Sequence, residues 1–133
     1  MEEDLRALLL ADAAVTGVCG GRVHWGARPQ ASSLPALVLY VISKLPDYNL
    51  AAPSGVADTR VQADCWGIDY AGAKALQRAV EGVLSGYSGD IGGTHFHGIF
   101  QAGARETRDG GEDEAERPFR VSLDFIITHI AQE

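Results

Sequence analysis

From Val56 to Ser85 the chain reads VADTRVQADCWGIDYAGAKALQRAVEGVLS, and its apolar period changes once, from two residues to about 3.6. Val61, Ala63 and Cys65 alternate with Arg60, Gln62 and Asp64, the pattern of a strand with one face on a core and the other toward water. That strand is expected to end at Trp66. Beyond Gly67, Ala73, Leu76, Val80 and Val83 or Leu84 share one helical face, while Lys74, Arg78 and Glu81 share the other. Asp69 can cap this helix and Gly86 can end it. A strand leading directly into an amphipathic helix predicts a sheet with that helix lying across its apolar face.

The remaining pattern adds elements on both sides. Residues 2–15 predict a first helix on the same sheet, with Leu5, Leu8, Leu9 and Val15 as its stripe and Glu2, Glu3 and Asp4 suited to its N-terminal end. Gly17, Gly20 and Gly21 stop it, and Arg22 to Trp25 predict a short strand before an extended segment around Arg28 and Pro29. Residues 36–45, ALVLYVISKL, are nearly continuous in apolar and β-branched side chains, which predicts a central strand or one buried on both faces. From Pro46 to Gly55 the turn formers Asp47, Asn49, Pro53, Ser54 and Gly55 predict an exposed loop. Tyr48 and Leu50 near its tip either offer a contact surface or fold back on their own domain.

Gly86 to Gly93 is a glycine-rich connection to a weakly patterned strand from Thr94 to Arg105. From Glu106 to Arg117, Glu106, Asp109, Glu112, Asp113, Glu114 and Glu116 face only Arg108 and Arg117, and such a run predicts a solvated, mobile hairpin loop. Phe119, Val121, Leu123, Phe125 and Ile127 alternate with polar residues and form the clearest strand of the chain. The expected class is therefore α+β, with an antiparallel or mixed sheet of about four to five strands and two helices packed on one face. One domain is expected over residues 1–133, with flexible loops at about 46–55 and 106–117.

Composition narrows the function classes. The 133 residues suffice for one core that buries roughly two thirds of the unfolded surface. No apolar run approaches the roughly 20 residues of a membrane helix, so no membrane partner is expected. The opening Met1, Glu2, Glu3, Asp4 is acidic where a secretory leader is positively charged, which points to the cytoplasm. Cys19 and Cys65 lack the paired spacing of zinc or redox motifs and predict two reduced, buried thiols. A formal net charge of −7 argues against gripping nucleic acid, because that affinity comes from Lys and Arg neutralising phosphates. DNA passing close by without being held remains compatible with it.

Catalytic patterns are absent from the sequence. His95 and His97 are two apart and share a strand face, but no third ligand follows at matching spacing, and a catalytic zinc normally needs three. His24 and His129 each stand alone. Asp90, Gly92 and Gly93 lack the surrounding signature of a phosphate loop, and the serines lie outside any nucleophile elbow. The acidic run does not follow calcium-loop spacing. Trp25 and Trp66 are strand-end aromatics of the kind that fill a core edge or a subunit contact. No catalytic residue, metal site or cofactor is expected.

In the order of its parts the chain resembles the tail-completion family of long-tailed phages, the small head-to-tail joining or tail-terminator proteins also found in prophages and gene transfer agents. The resemblance is carried by LRALLLADAAVTGVCGGRVHWG, then LPALVLYVIS, then RVQADCWGIDYAGAKALQRAVEGVL, and finally FRVSLDFIITH. Its most specific part is DCWG followed by Asp69, Tyr70, Ala73, Lys74 and Leu76. It implies a structural, non-enzymatic virion protein that forms a ring, typically hexameric, at the head-proximal end of the tail tube. There it would end tail polymerisation and join the tail to the head.

The implied partners are further copies of the chain, the major tail tube protein and a head connector or stopper protein, with DNA passing through the lumen without specific binding. The implied location is the host cytoplasm during assembly and the tail–head junction afterwards. Ring subunits meet through heterologous contacts that close. The residues expected at oligomer or partner contacts are Tyr48, Asn49 and Leu50 in one loop and Asp109, Glu112, Asp113 and Glu114 in the other. An acidic lumen would repel DNA phosphates and let a genome slide. The competing reading is a small ligand- or metal-binding α+β domain, with possible enzymatic activity, using His95 and His97. A third, an assembly chaperone, requires the protein to be missing from the finished particle.

Overall fold

The computed structural model describes residues 1–27, 34–48, 53–108 and 119–131. Its centre is the predicted strand-to-helix unit. Strand β3 (Pro53–Gly67) enters helix α3 (Tyr70–Leu84) through a turn so close that a Cβ on Gly67 would lie 2.4 Å from the Ala73 nitrogen. Only glycine fits there. Asp69 caps the helix by accepting a 2.7 Å hydrogen bond from the Gly72 N–H. Ala73, Leu76, Val80 and Leu84 are buried, as their spacing predicted. Gly86, at φ +80°, ends the helix in the left-handed region and donates its N–H to Ile99 O at 2.8 Å. That bond fastens the helix end to the neighbouring strand.

The N-terminal segment departs from the expected single helix. It forms α1 (Glu2–Leu10) and α2 (Ala13–Cys19), because the Asp12 carboxylate accepts from the Ala14 and Val15 N–H groups and so starts a second helix. Breaking the helix lets Leu5 and Leu9 on one piece, and Val15 and Cys19 on the other, all reach the core. Strand β1 (Val23–Trp25) follows. The Trp25 indole N–H donates to Glu2 O at 2.9 Å and ties β1 back to α1.

The described strands form one six-stranded sheet in the order β1-β2-β3-β6-β5-β4, where β2 is Ala36–Tyr48, β4 Gly89–Ile91, β5 Thr94–Arg108 and β6 Phe119–Ala131. Pairing is antiparallel except for β1 on β2, so the sheet is mixed. The expected four to five strands fall short because β1 and β4 have three residues each, too few to show a period. The expected two helices become three through the break at Asp12. All three helices contribute to one apolar cluster on one face of the sheet, including Leu37, Leu39, Val61, Cys65, Leu76, Phe96, Leu123 and Phe125.

The strands flanking both predicted loops run further than expected. Strand β2 continues through Pro46 to Tyr48 and β3 begins at Pro53, while β5 continues through Glu106 to Arg108. Ladder pairing with a neighbouring strand holds these polar residues extended despite their turn-forming types. Strand β2 is also not buried on both faces throughout. Ala36–Leu39 are buried, but Val41 and Ile42 are exposed, since β1 flanks β2 only from Leu37 to Leu39.

Cys19 and Cys65 are free and buried, and burial pushes both thiols above the ordinary cysteine range. His129 is buried as well, with its Nε2 2.8 Å from Thr59 Oγ1. Burial lowers its pKa, Lys44 and the N-terminal amine lower it further, and Glu2 and Asp58 oppose them. The imidazole is therefore more easily protonated in the unfolded chain. Stability from this group is complete above the unfolded value of about 6.5 and declines as pH falls below it.

Two outcomes follow for folding. Leu76→Ala is expected to lower unfolding free energy by about 2–5 kcal/mol in urea titration, as a buried leucine does; a change under about 0.5 kcal/mol would contradict the packing of α3. Unfolding free energy is expected to decrease between about pH 7 and 5.5 and to do so less in His129→Gln; equal slopes would remove His129 as the cause.

Candidate assembly surfaces

The topology places the strand ends that flank the two predicted contact segments at opposite poles. Gly67 pairs with Phe119, and Arg108 pairs with Phe119, so the β5–β6 connection leaves the sheet where β3 ends. Tyr48 pairs with Pro53 at the other end, where β2 turns into β3. Along the 15 residues of β3 the separation is on the order of 45 Å. Tyr48 belongs to β2, but its side chain, and the whole of Asn49, Leu50, Asp109, Glu112, Asp113 and Glu114, lie outside the described residues.

The described part of the acidic segment is anchored at the root of its hairpin. Glu106 Oε1 accepts from Lys74 Nζ at 2.7 Å and from the Tyr70 hydroxyl at 3.1 Å, joining β5 to the first turns of α3. These hydrogen bonds hold the Glu106 carboxyl below its usual pKa and the Lys74 ammonium above its own. Beside them Tyr70 meets Phe119 edge to face at 5.9 Å. Tyr70 and Ile68 are exposed, so this pole carries an apolar margin next to its charges.

The sheet face turned away from the helices holds a feature that the alternating pattern did not announce. Arg60, Gln62 and Asp64 were read as facing water, yet Asp64, Ser122 and Asp124 are buried. Ser122 Oγ and Gln62 Nε2 donate to Asp64 Oδ1 at 2.7 and 2.9 Å. Arg105 donates to Asp124 at 2.7 Å and to Gln62 at 3.3 Å. Arg60 stands 3.7 Å from Asp124, and Arg120 3.7 Å from Asp64. Arg120 also lies over the Trp66 ring, 5.2 Å from its centroid. Three guanidinium groups thus roof two carboxylates and fix the cross-strand register.

One signal was available. On antiparallel strands, Arg60-x-x-x-Asp64 and Arg120-x-x-x-Asp124 bring each acid toward the other strand's base. Just past this network, Arg60 pairs with Ile126, Ile126 pairs with Phe100, and Ile42 bulges from β2 beside them. Ile42, Ile126 and Phe100 are all exposed.

The histidine pair occupies the β4–β5 edge. His95 Nδ1 meets Asp90 Oδ1, and its ring meets that of His97 edge to face at 4.6 Å, where a bulge separates Phe96 from Gly98. Among the described residues no group of three or more His, Cys, Asp or Glu is gathered to hold a metal ion. No helix of the described residues is long and apolar enough to cross a membrane.

Paired strands that end at opposite poles, a sheet covered on one side and polar groups committed to each other suit a building block, a structural protein. Residues 3–130 match the family model described as Tail completion protein gp17, and the chain belongs to that family of phage tail proteins. Among solved structures it is similar to a chain of "Virion of native gene transfer agent (GTA) particle", with a TM-score of 0.75. That likeness covers 98% of this chain and 95% of the other at 19% sequence identity, and it is one of fold. Comparison with curated protein sequences gives no match.

Asp64→Ala strips Arg120, Ser122 and Gln62 of a shared acceptor and is expected to destabilise by about 1–3 kcal/mol in chemical denaturation. Asp58→Ala, removing an exposed acceptor of the Thr128 hydroxyl, is expected to stay under about 1 kcal/mol. Equal losses would show that the roofed network contributes nothing of its own.

Proposed function

We propose that this chain is the subunit of a ring, hexameric by analogy with the proteins it resembles, that sits on the head-proximal end of a phage-type tail tube. It ends tube polymerisation and joins the tail to a head connector or stopper protein. Family membership supports the tail role. The observation that carries the joining role is the polarity of the subunit, with the β2–β3 hairpin at one end of a long sheet and the β5–β6 hairpin at the other. A protein that stands between two different assemblies needs two different ends.

In this reading Tyr48, Asn49 and Leu50 meet one neighbour, and Asp109, Glu112, Asp113 and Glu114 meet the other or the lumen. The net charge of −7 suits a conduit that DNA crosses without sticking. The protein would accumulate in the host cytoplasm and end in the particle at the tail–head junction. No reaction is assigned to it.

Deleting the gene in a producing strain and imaging the particles tests the proposal. The expected result is tail tubes of uncontrolled length that fail to attach to filled heads, with both defects rescued by supplying the chain. Tails of normal length on filled heads in its absence would overturn it.

A further inference from the structure

Two stretches of strand edge carry no neighbour among the described residues. On one side β1 pairs with β2 only from Leu37 to Leu39, which leaves the edge of β2 beyond Leu39. On the other side β4 pairs with β5 only from Thr94 to Phe96, and Tyr87 adds a bond at Ile99, which leaves the edge from Phe100 to Arg108. Because β2, β3, β6 and β5 alternate in direction, the β2 edge of one copy set beside the β5 edge of another is antiparallel.

We infer that these two edges pair between copies, Ser43–Pro46 of one with Ala104–Thr107 of the next, and that this ladder is the subunit interface of the ring. The inference rests on the ring reading above and specifies its contact. The register comes from two constraints. Lys44 pairs with Thr59, which pairs with buried Ile127, and Glu106 pairs with buried Val121, so both side chains belong to the helix-covered face. A continuous sheet must match faces, and allowed registers therefore differ by two residues. Lys44 can then stand opposite Gln101, Ala104, Glu106 or Arg108. Charge selects Glu106, whose side chain is 49% exposed while holding Lys74; Arg108 would repel it.

The stagger this produces can be compared with what closure requires. Within one copy the level of Lys44 passes through Thr59 and Ile127 to Ile99, not to Glu106. With the bulge residue Ala102 set aside, the offset is about six residues, or about 20 Å. It accumulates over four strands, about 19 Å of sheet width. The resulting slope is about 45°, at the upper end of the roughly 35–45° strand tilt found in closed barrels. A lateral pairing with this stagger closes into a ring of tilted strands and does not extend as a flat ribbon.

The bulges at Ile42 and Ala102 and the proline at 46 limit the ladder to about four residues. So short a ladder does not sustain open-ended aggregation of free copies. It gains when a partner surface gathers several copies at once.

Copies carrying Lys44→Cys and Glu106→Cys together test the pairing, since directly opposed residues in an antiparallel pair sit about 4.5–5.5 Å apart, within disulfide reach. The two positions cannot bridge within one chain, because β3 and β6 separate their strands. Mild oxidation at high protein concentration is expected to give a non-reducing gel ladder that ends at one closed species, with slower linking when Ala104→Cys replaces Glu106→Cys. Rings visible by negative stain without the covalent ladder would overturn the edge pairing and leave the ring reading standing. No linking at any concentration would overturn the edge pairing, while the ring reading is overturned only by particles whose tails are normal without the chain.

Discussion

The structure depends on a mismatch of lengths. Its four long strands run 13 to 15 residues, while the helical layer is built around a single helix of 15 residues with a rise of about 1.5 Å each, against about 3.3 Å in a strand. The helices can therefore roof only part of the sheet. Under that roof Ala73, Leu76, Val80 and Leu84 meet Val61, Ala63, Cys65, Leu123 and Phe125 in a dry core. Outside it β2 continues with exposed Ile42, Ser43 and Lys44. The exposed apolar residues Val41, Ile42, Phe100 and Ile126 lie on the parts of the sheet that the helices leave bare.

How far the sequence disclosed this follows from the range of each signal. The shift of period between Cys65 and Ala73 marked the strand, the turn and the helix, because local repeats report local burial. The clean alternation from Phe119 to Ile127 did the same for β6. Asp12 was missed as a cap because the stripe from Leu5 to Val15 looked continuous; only the folded chain shows that Val15 reaches the core after a change of direction. Strands β1 and β4 are too short to carry a period. The true ends of β2 and β5 were hidden behind turn-forming and acidic residues, whose extended state is imposed by the partner strand and not by their own preference.

The polar face shows a second limit. Alternation tells which residues point the same way, but it cannot tell whether that direction is wet. Asp64 and Asp124 point away from the apolar core and are nonetheless buried, because Arg60, Arg105 and Arg120 fold over them from neighbouring strands. The two carboxylates are met by groups far away in the chain, Asp64 by Ser122 and Asp124 by Arg60. The candidate site was legible only as two segments of suitable composition. That the strands leading into them end at opposite poles came from topology, which composition does not encode.

That topology also fixes how the fold carries mechanical load. A pull applied between the β2–β3 turn and the β5–β6 turn acts along the strand axes, while the ladder bonds of β3 on β6 lie across them. Twelve paired positions, from Val56 with Ile130 to Gly67 with Phe119, then resist sliding together and cannot be opened one after another. The molecule is stiffest along the line joining its two ends.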